Sequence, residues 1–153
     1  MSDAVLHFAY GSNMDSKRLN RRIGLVSSAE RASLHGFRFE FNKMSYRGDQ
    51  VYANIMIDSE AIVWGVLMEI TPEQLAKLDE YEGVEEGHYR REKVVVLTDL
   101  NEEIEAITYI AQDKWLKEDM RPEKSYLDYV LNGAVEFQVP QQYVERILEI
   151  SRK

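Results

Sequence analysis

Several segments of this chain alternate apolar and polar residues, which is the pattern of β-strands with one buried face. The clearest segment runs from Phe37 to Asn42, where phenylalanines alternate with polar side chains. Similar alternation, or a short apolar run, occurs in segments 5–10, 51–57, 61–68, 94–97 and 104–110. The helices between these six strands are too few for regular βαβ winding. We therefore expect an α+β fold, with a small, mixed, mostly antiparallel six-stranded barrel-like sheet and peripheral helices.

Two helices are predicted from their end signals in the first half of the chain. Residues 71–74 read Thr-Pro-Glu-Gln, which is a capping box with proline at the first helical position. Gly83 supplies the stop, so this helix spans about three turns. Asp15 or Ser16 caps a shorter helix that ends at Gly24.

Proline and glycine also mark the elements of the second half. Pro122 is expected to open a helix that stops at Gly133, and Pro140 to open the last helix. Turn residues near 48–49 and 101–103 predict two hairpins.

The composition limits the partners and the compartment. A chain of 153 residues is expected to form a single domain, 1–153, and its net charge of −8 argues against nucleic acid or an anionic membrane as partner. The one basic cluster, at 17–22, is expected to be a solvated helix face. The chain has no cysteine, no signal-peptide pattern at its start and no membrane-spanning run, which favours the cytoplasm.

Glu82 is the most informative single residue. Leu75 and Leu78 define the apolar stripe of the predicted helix, and Glu82 occupies the next position on that stripe. The alternative is that the helix has already ended and that Glu82 lies on an exposed acidic turn with Glu85 and Glu86. If Glu82 points inward, burial raises its pKa toward neutrality, as suits a general acid/base.

The segment Tyr10-Gly11-Ser12-Asn13 ends the first predicted strand with small and polar residues. Backbone N–H groups in such a loop can point together at an anionic or oxygen-rich ligand. The alternative is a plain strand-to-helix turn in which Gly11 adopts a positive φ. The lysine and second glycine of a P-loop are missing, so nucleotide binding is not supported.

Metal and serine-nucleophile chemistry find little support. His7, His35 and His88 show no metal-ligand spacing, and the acidic residues form no paired aspartate pattern. There is no Gly-x-Ser-x-Gly motif, so a serine hydrolase is not favoured. On the residues alone, Tyr89 and Tyr126 are typical of core or rim aromatics.

Four blocks follow one another along nearly the whole chain. They are Tyr10-Gly11-Ser12-Asn13 after Phe8-Ala9, then Val63-Trp64-Gly65-Val66, then Leu78 to Tyr89 with Glu82-Gly83-Val84, and finally Pro122, Tyr126, Gly133-Ala134, Pro140 and Tyr143. Together these blocks resemble the γ-glutamylcyclotransferase family. Met14 departs from the family pattern, since relatives often have leucine there.

The resemblance implies a small mixed barrel with peripheral helices and a specific chemistry. A γ-glutamyl-amino acid would cyclise to 5-oxoproline and release the free amino acid, with no metal, nucleotide or redox cofactor. By resemblance, Glu82 is the catalytic acid/base, the residues Tyr10, Gly11, Ser12 and Asn13 line the substrate pocket, and Tyr89 and Tyr126 lie in or beside it.

Two other functions stay open at this point. The chain could act on another γ-glutamyl amide, such as a γ-glutamylamine or a γ-glutamyl-protected metabolite. It could also be a non-catalytic small-molecule binding module of the same fold, although such a module has no need of a buried carboxylate. The sequence settles neither the leaving group nor the oligomeric state, for which a homodimer is one outcome.

Overall fold

The computed structural model describes residues 3–153; the first two residues of the predicted domain lie outside this range. None of the helices in the described part is long and apolar enough to cross a membrane. Two 3₁₀ turns, at Ser12–Met14 and Asp113–Trp115, accompany the regular elements. These elements are β1 (Val5–Ala9), α1 (Ser16–Ile23), β2 (Ser28–Met44), β3 (Val51–Ile70), α2 (Pro72–Tyr81), β4 (Tyr89–Thr98), β5 (Glu103–Ala111), α3 (Lys124–Glu136) and α4 (Gln141–Ser151).

The strands form a closed barrel in the order β1-β3-β2-β4-β5. All neighbouring pairs are antiparallel except β1 and β5, which run parallel and close the barrel where His7 pairs with Ile107. Closure removes the free sheet edges that would otherwise invite pairing with other chains. The expectation of a mixed, mostly antiparallel barrel with peripheral helices is confirmed.

The predicted count of six strands is wrong, because two of the predicted strands form a single strand in the structure. Segments 51–57 and 61–68 both belong to β3, which continues through the polar residues between them. Opposite those residues, the pairing of β2 with β3 shifts register between His35 and Phe37. A β-bulge of this kind bends a strand without ending it, so a polar interruption in the sequence need not be a turn.

Helices α1 and α2 begin and end close to the predicted residues. Thr71 and Gln74 form the capping box in both directions, and α2 ends just before Gly83, whose φ is 63°. Asp15 caps α1 by accepting from the backbone N–H groups of the second and third residues after it, and Gly24 follows the last turn. The predictions for both helices are confirmed.

The prediction for the third helix is wrong at both ends, because α3 begins at Lys124 and runs through Gly133 to Glu136. Gly133 has helical neighbours on both sides, and a Cβ there would lie only 2.3 Å from the Cβ of Met14. The glycine therefore allows α3 to pack closely on the Ser12–Met14 turn. The helix expected after Pro140 is confirmed.

Candidate active site

A cavity of about 320 Å³ lies where the end of β1, the end of α2 and the start of β4 come together. Every residue that the sequence analysis placed at a site lines this cavity, although those residues are far apart in the chain. They are Tyr10, Gly11, Ser12, Asn13, Glu82, Tyr89 and Tyr126.

Glu82 directly follows the last residue of α2 and is partly buried at the cavity wall. Its Oε1 accepts a hydrogen bond of 3.0 Å from the side-chain amide of Asn13. Its own backbone N–H donates to the carbonyl of Leu78, so the side chain follows the last turn of the helix. Glu85 and Glu86 are exposed, and the turn that contains all three residues holds only Glu82 against the Asn13 loop.

Two kinds of interaction shift the pKa of Glu82 in opposite directions. Burial raises the pKa of Glu82 above its ordinary value, while Arg22, the Asn13 hydrogen bond and Lys43 each act to lower it. The net direction is upward, because removal from water outweighs the attraction of the cations. A carboxyl group with a raised pKa is suited to take up and return a proton near neutral pH.

The loop after β1 presents backbone donors to the cavity. Residues 12–14 form a single 3₁₀ turn, in which the N–H groups of Met14 and Asp15 donate back to the loop. The N–H groups of Ser12 and Asn13 make no hydrogen bond within residues 3–153. They are therefore free to bind an oxygen of a ligand.

Gly11 is needed in this loop for space and not for its φ, which is −113°. A Cβ at this position would lie 2.9 Å from the Cβ of Ala53 on β3. The suggestion from the sequence that Gly11 adopts a positive φ is therefore wrong. The neighbouring Tyr10 is buried, and its hydroxyl donates to the carbonyl of Tyr109 at 2.6 Å. Tyr10 thus contributes its ring to the wall, while its hydroxyl ties the loop to β5.

Tyr89 and Tyr126 are both held by the backbone of Ala53. The Tyr89 hydroxyl donates to the Ala53 carbonyl at 2.7 Å, and the Ala53 N–H donates to the Tyr126 hydroxyl oxygen at 3.0 Å. Because Tyr126 accepts in this contact, Ala53 leaves the O–H proton of Tyr126 unused. Burial raises the pKa of Tyr126 to about 12, so the hydroxyl is a neutral donor at physiological pH.

Two arginines of α1 also line the cavity. Neither was predicted from the sequence as a site residue. Arg18 Nε donates to Ser12 Oγ at 3.1 Å, and Arg22 Nη1 donates to Asn13 Oδ1 at 3.3 Å. The expectation that the whole basic cluster is solvated is wrong for these two, although it holds for Lys17 and Arg21. Their spacing of four residues, which places both on one helix face, was the available signal.

Lys43 is the third cationic side chain of the cavity, and it was also missed. It lies two residues after Phe41 on the buried face of β2 and is only 4% exposed. A lysine that continues an apolar alternation is as unusual as a glutamate that continues an apolar helix stripe, and this pattern could have identified it. Among residues 3–153 no cluster of three His, Asp or Glu side chains has the geometry of a metal site.

Comparisons with known proteins point to one family. The sequence profile of the AIG2-like family matches residues 62–147, which include α2, Glu82 and most of α4. Gamma-glutamylcyclotransferase of Mus musculus is 31% identical over 152 residues, which cover 97% of this chain and 79% of the relative. The chain belongs to the AIG2-like, or γ-glutamylcyclotransferase, family. Gamma-glutamylcyclotransferase of Homo sapiens is 30% identical over the same shares of both chains.

Solved structures agree with this membership in the γ-glutamylcyclotransferase family. One structure of a gamma-glutamyl cyclotransferase superposes with a TM-score of 0.83 at 29% identity, covering 95% of this chain and 86% of the other. This family member therefore shares the fold of that gamma-glutamyl cyclotransferase over 95% of its length.

Proposed function

We propose that this protein is a γ-glutamylcyclotransferase that converts a γ-glutamyl-amino acid into 5-oxoproline and the free amino acid. In this reaction the α-amine of the glutamyl group attacks its own γ-carbonyl carbon. A new C–N bond closes a five-membered ring, and the original amide C–N bond breaks. Nucleophile and electrophile belong to one molecule, so the protein mainly has to hold the reactive conformer.

Glu82 carries the proton in this proposal. The resting α-amine is an ammonium and has no lone pair with which to attack. The ionised Glu82 carboxylate first removes a proton from the ammonium, so that the amine can attack. After the attack the ring nitrogen loses a second proton. The two protons pass one after the other through Glu82 to the departing nitrogen, which is released as an ammonium. A carboxyl whose pKa is raised by burial performs both transfers better than a fully solvated one.

The loop after β1 supports the developing negative charge. When the amine attacks, the γ-carbonyl oxygen becomes an oxyanion. The unbonded N–H groups of Ser12 and Asn13 and the O–H of Tyr126 are the donors available to hold it. These groups are held in place before substrate binds, so little reorganisation accompanies the reaction.

One observation carries the proposal: the hydrogen bond between Asn13 Nδ2 and Glu82 Oε1. It joins the donor loop to the carboxylate across 69 residues of sequence, in a cavity large enough for a dipeptide. The family membership supports the same chemistry, since the mouse and human relatives are named for it.

The test is to assay 5-oxoproline release from γ-glutamyl dipeptides, glutathione and γ-glutamylamines in ¹⁸O-labelled water. Cyclisation predicts unlabelled 5-oxoproline and no labelled glutamate. An N-acetylated γ-glutamyl dipeptide, whose amine has lost its nucleophilic lone pair, should not be cleaved. Labelled glutamate as the direct product would instead identify a hydrolase, with Glu82 activating water.

The same panel separates the alternatives. Turnover of γ-glutamylamines alone would indicate a cyclotransferase for other γ-glutamyl amides, and saturable binding without any turnover would indicate a binding module. The cytoplasmic location and the homodimer considered from the sequence stay predictions, which fractionation and light scattering can check.

A further inference from the structure

Lys43 is an unusual residue for the place it occupies. It lies near the end of β2 at a register shift, where Phe41 pairs with Ala53 and Lys43 pairs with Tyr52. Bulges of this kind often direct a side chain into a site. The side chain is nearly inaccessible to solvent, yet it lines the same cavity as Glu82.

Aromatic rings surround the Lys43 ammonium. Its Nζ lies 5.1 Å from the ring centre of Trp115, 5.3 Å from that of Tyr89 and 5.8 Å from that of Tyr52. The Nζ also lies 2.6 Å from Nδ1 of His88, whose ring stacks on Trp115 at 3.8 Å. Burial and the nearby Lys43 lower the pKa of His88, so the neutral imidazole accepts this hydrogen bond.

Among residues 3–153, the Lys43 ammonium retains unused donors and forms no direct ion pair. Burial lowers its pKa to about 8, and Glu82 in the same cavity acts in the opposite direction. It can donate three hydrogen bonds, and the bond to His88 uses one. In the described part of the chain, no Asp or Glu carboxylate lies within 4.0 Å of its Nζ. A buried cation without a paired anion is costly unless a ligand supplies the anion.

Arg22 and Lys43 lie at positions suited to different ends of the substrate. Asn13 links Arg22 to Glu82, so this arginine lies beside the group that must reach the glutamyl amine. The glutamyl α-carboxylate is attached to the same carbon as that amine and therefore falls on the Arg22 side. Lys43 lowers the pKa of Glu82 less than Arg22 does, and it is held by a different element. It is available for the other end of the substrate.

We propose that Lys43 binds the α-carboxylate of the departing amino acid and so selects γ-glutamyl-amino acids over γ-glutamylamines. The inference rests on the proposed function, whose reaction defines the departing group. The Lys43 cation is held by β2 and by His88, the residue just before β4. Lys43 is a specificity-determining residue here and takes no part in proton transfer.

The experiment compares two substrates that differ by one carboxylate, γ-glutamyl-L-alanine and γ-glutamyl-ethylamine. For the wild-type protein we expect kcat/KM to be on the order of 10- to 100-fold higher for the alanine substrate, as one charge-assisted hydrogen bond supplies. In Lys43→Met, this preference should disappear through loss of activity on the alanine substrate, mainly in KM. Activity on the ethylamine substrate is measured on the pH plateau above the acidic limb, because Lys43→Met also removes one of the charges that lower the pKa of Glu82. It should fall far less than activity on the alanine substrate, and a thermal melt shows that the variant is folded.

Lys17→Met is the matched control, because it removes one positive charge at an exposed position of α1. It should retain the wild-type preference. A comparison that needs no variant uses γ-glutamyl-L-alaninamide, which keeps the shape of the alanine substrate and loses its negative charge. We expect it to behave like the ethylamine substrate. An equal loss on both substrates in Lys43→Met would overturn the proposal, as would wild-type indifference to the carboxylate.

A binding measurement separates failure of this inference from failure of the proposed function. Calorimetric Kd values are measured in the Glu82→Gln background, with and without Lys43→Met. If the wild-type protein yields no 5-oxoproline from any substrate but the carboxylate still strengthens binding only when Lys43 is present, the proposed reaction fails and the recognition of that carboxylate by Lys43 stands. If 5-oxoproline forms but neither binding nor kcat/KM depends on the carboxylate through Lys43, the inference fails alone.

Discussion

At the scale of single residues, Asn13 is the residue that assembles the site. Its side-chain Nδ2 donates to Glu82, and its Oδ1 accepts from Arg22. An amide can do both at once, whereas a carboxylate or an amine at this position could serve only one partner. Glu82 is thereby oriented and kept more acidic than burial alone would make it.

Asn13→Ala should raise the pKa of Glu82 further, because the hydrogen bond from Asn13 stabilises the ionised carboxylate. The acidic limb of the pH profile of kcat/KM should move to higher pH, since a higher pH is then needed to ionise the base. Asn20→Ala, at an exposed position of α1, is the control and should leave the profile in place. An acidic limb that stays fixed or moves to lower pH in Asn13→Ala would contradict this role.

Glu82 should also lower the free energy of unfolding at pH values at which it is ionised. A carboxyl whose folded-state pKa is raised stabilises the fold below its unfolded pKa, and that contribution is lost as pH rises through the folded pKa. Glu82→Gln should therefore raise Tm at pH 8 by roughly 2–4 °C, with the gain absent near pH 4. Glu85→Gln, on the same turn but exposed, is the control for thermal melts at both pH values. A gain confined to pH 4 would contradict the assignment.

At the scale of elements, local signals in the sequence predicted those helix ends that local interactions determine. The capping box at Thr71 and the Asp15 cap fixed the starts of α2 and α1, since a side chain there bonds to its own helix. The end of α3 was not predictable in this way. A glycine is a stop signal by itself, and only the close approach of the Met14 backbone and side chain explains why Gly133 continues the helix.

Gly133→Ala should therefore destabilise the protein, although alanine is the better helix former. Its Cβ would lie 2.3 Å from the Cβ of Met14 and 2.5 Å from the Met14 carbonyl carbon, so α3 or the loop after β1 must shift. We expect the free energy of unfolding in urea to fall by about 1–3 kcal/mol. Val135→Ala is the control, because Val135 lies on the same helix and is 68% exposed. Equal or greater stability of Gly133→Ala would show that the contact is not tight.

At the scale of the whole molecule, barrel closure creates the site. It brings the loop after β1 to the end of α2 and to the end of β2, which no local pattern encodes. The sequence could mark Glu82 because it interrupts an apolar stripe, but it could not show that Asn13 would meet it. Arg18, Arg22 and Lys43 did carry local signals, but those signals could not show that the three side chains would line the same cavity.

The distribution of charge over the molecule also favours the proposed substrate. The chain carries a net charge of −8, yet three cationic side chains line one cavity. A local concentration of positive charge in an acidic protein attracts small anions to that place. A γ-glutamyl-amino acid carries two carboxylates, and both fit a site with separate cations on α1 and β2.

Glu82 is proposed to transfer the proton in an intramolecular cyclisation, and Glu82→Gln tests this role most directly. Glutamine keeps the size of the side chain and can still contact Asn13, but it cannot accept a proton. We expect 5-oxoproline release from γ-glutamyl-L-alanine to fall by about 10²–10⁴-fold, while calorimetry shows that substrate binding is largely retained. Turnover by Glu82→Gln near the wild-type rate would contradict the account.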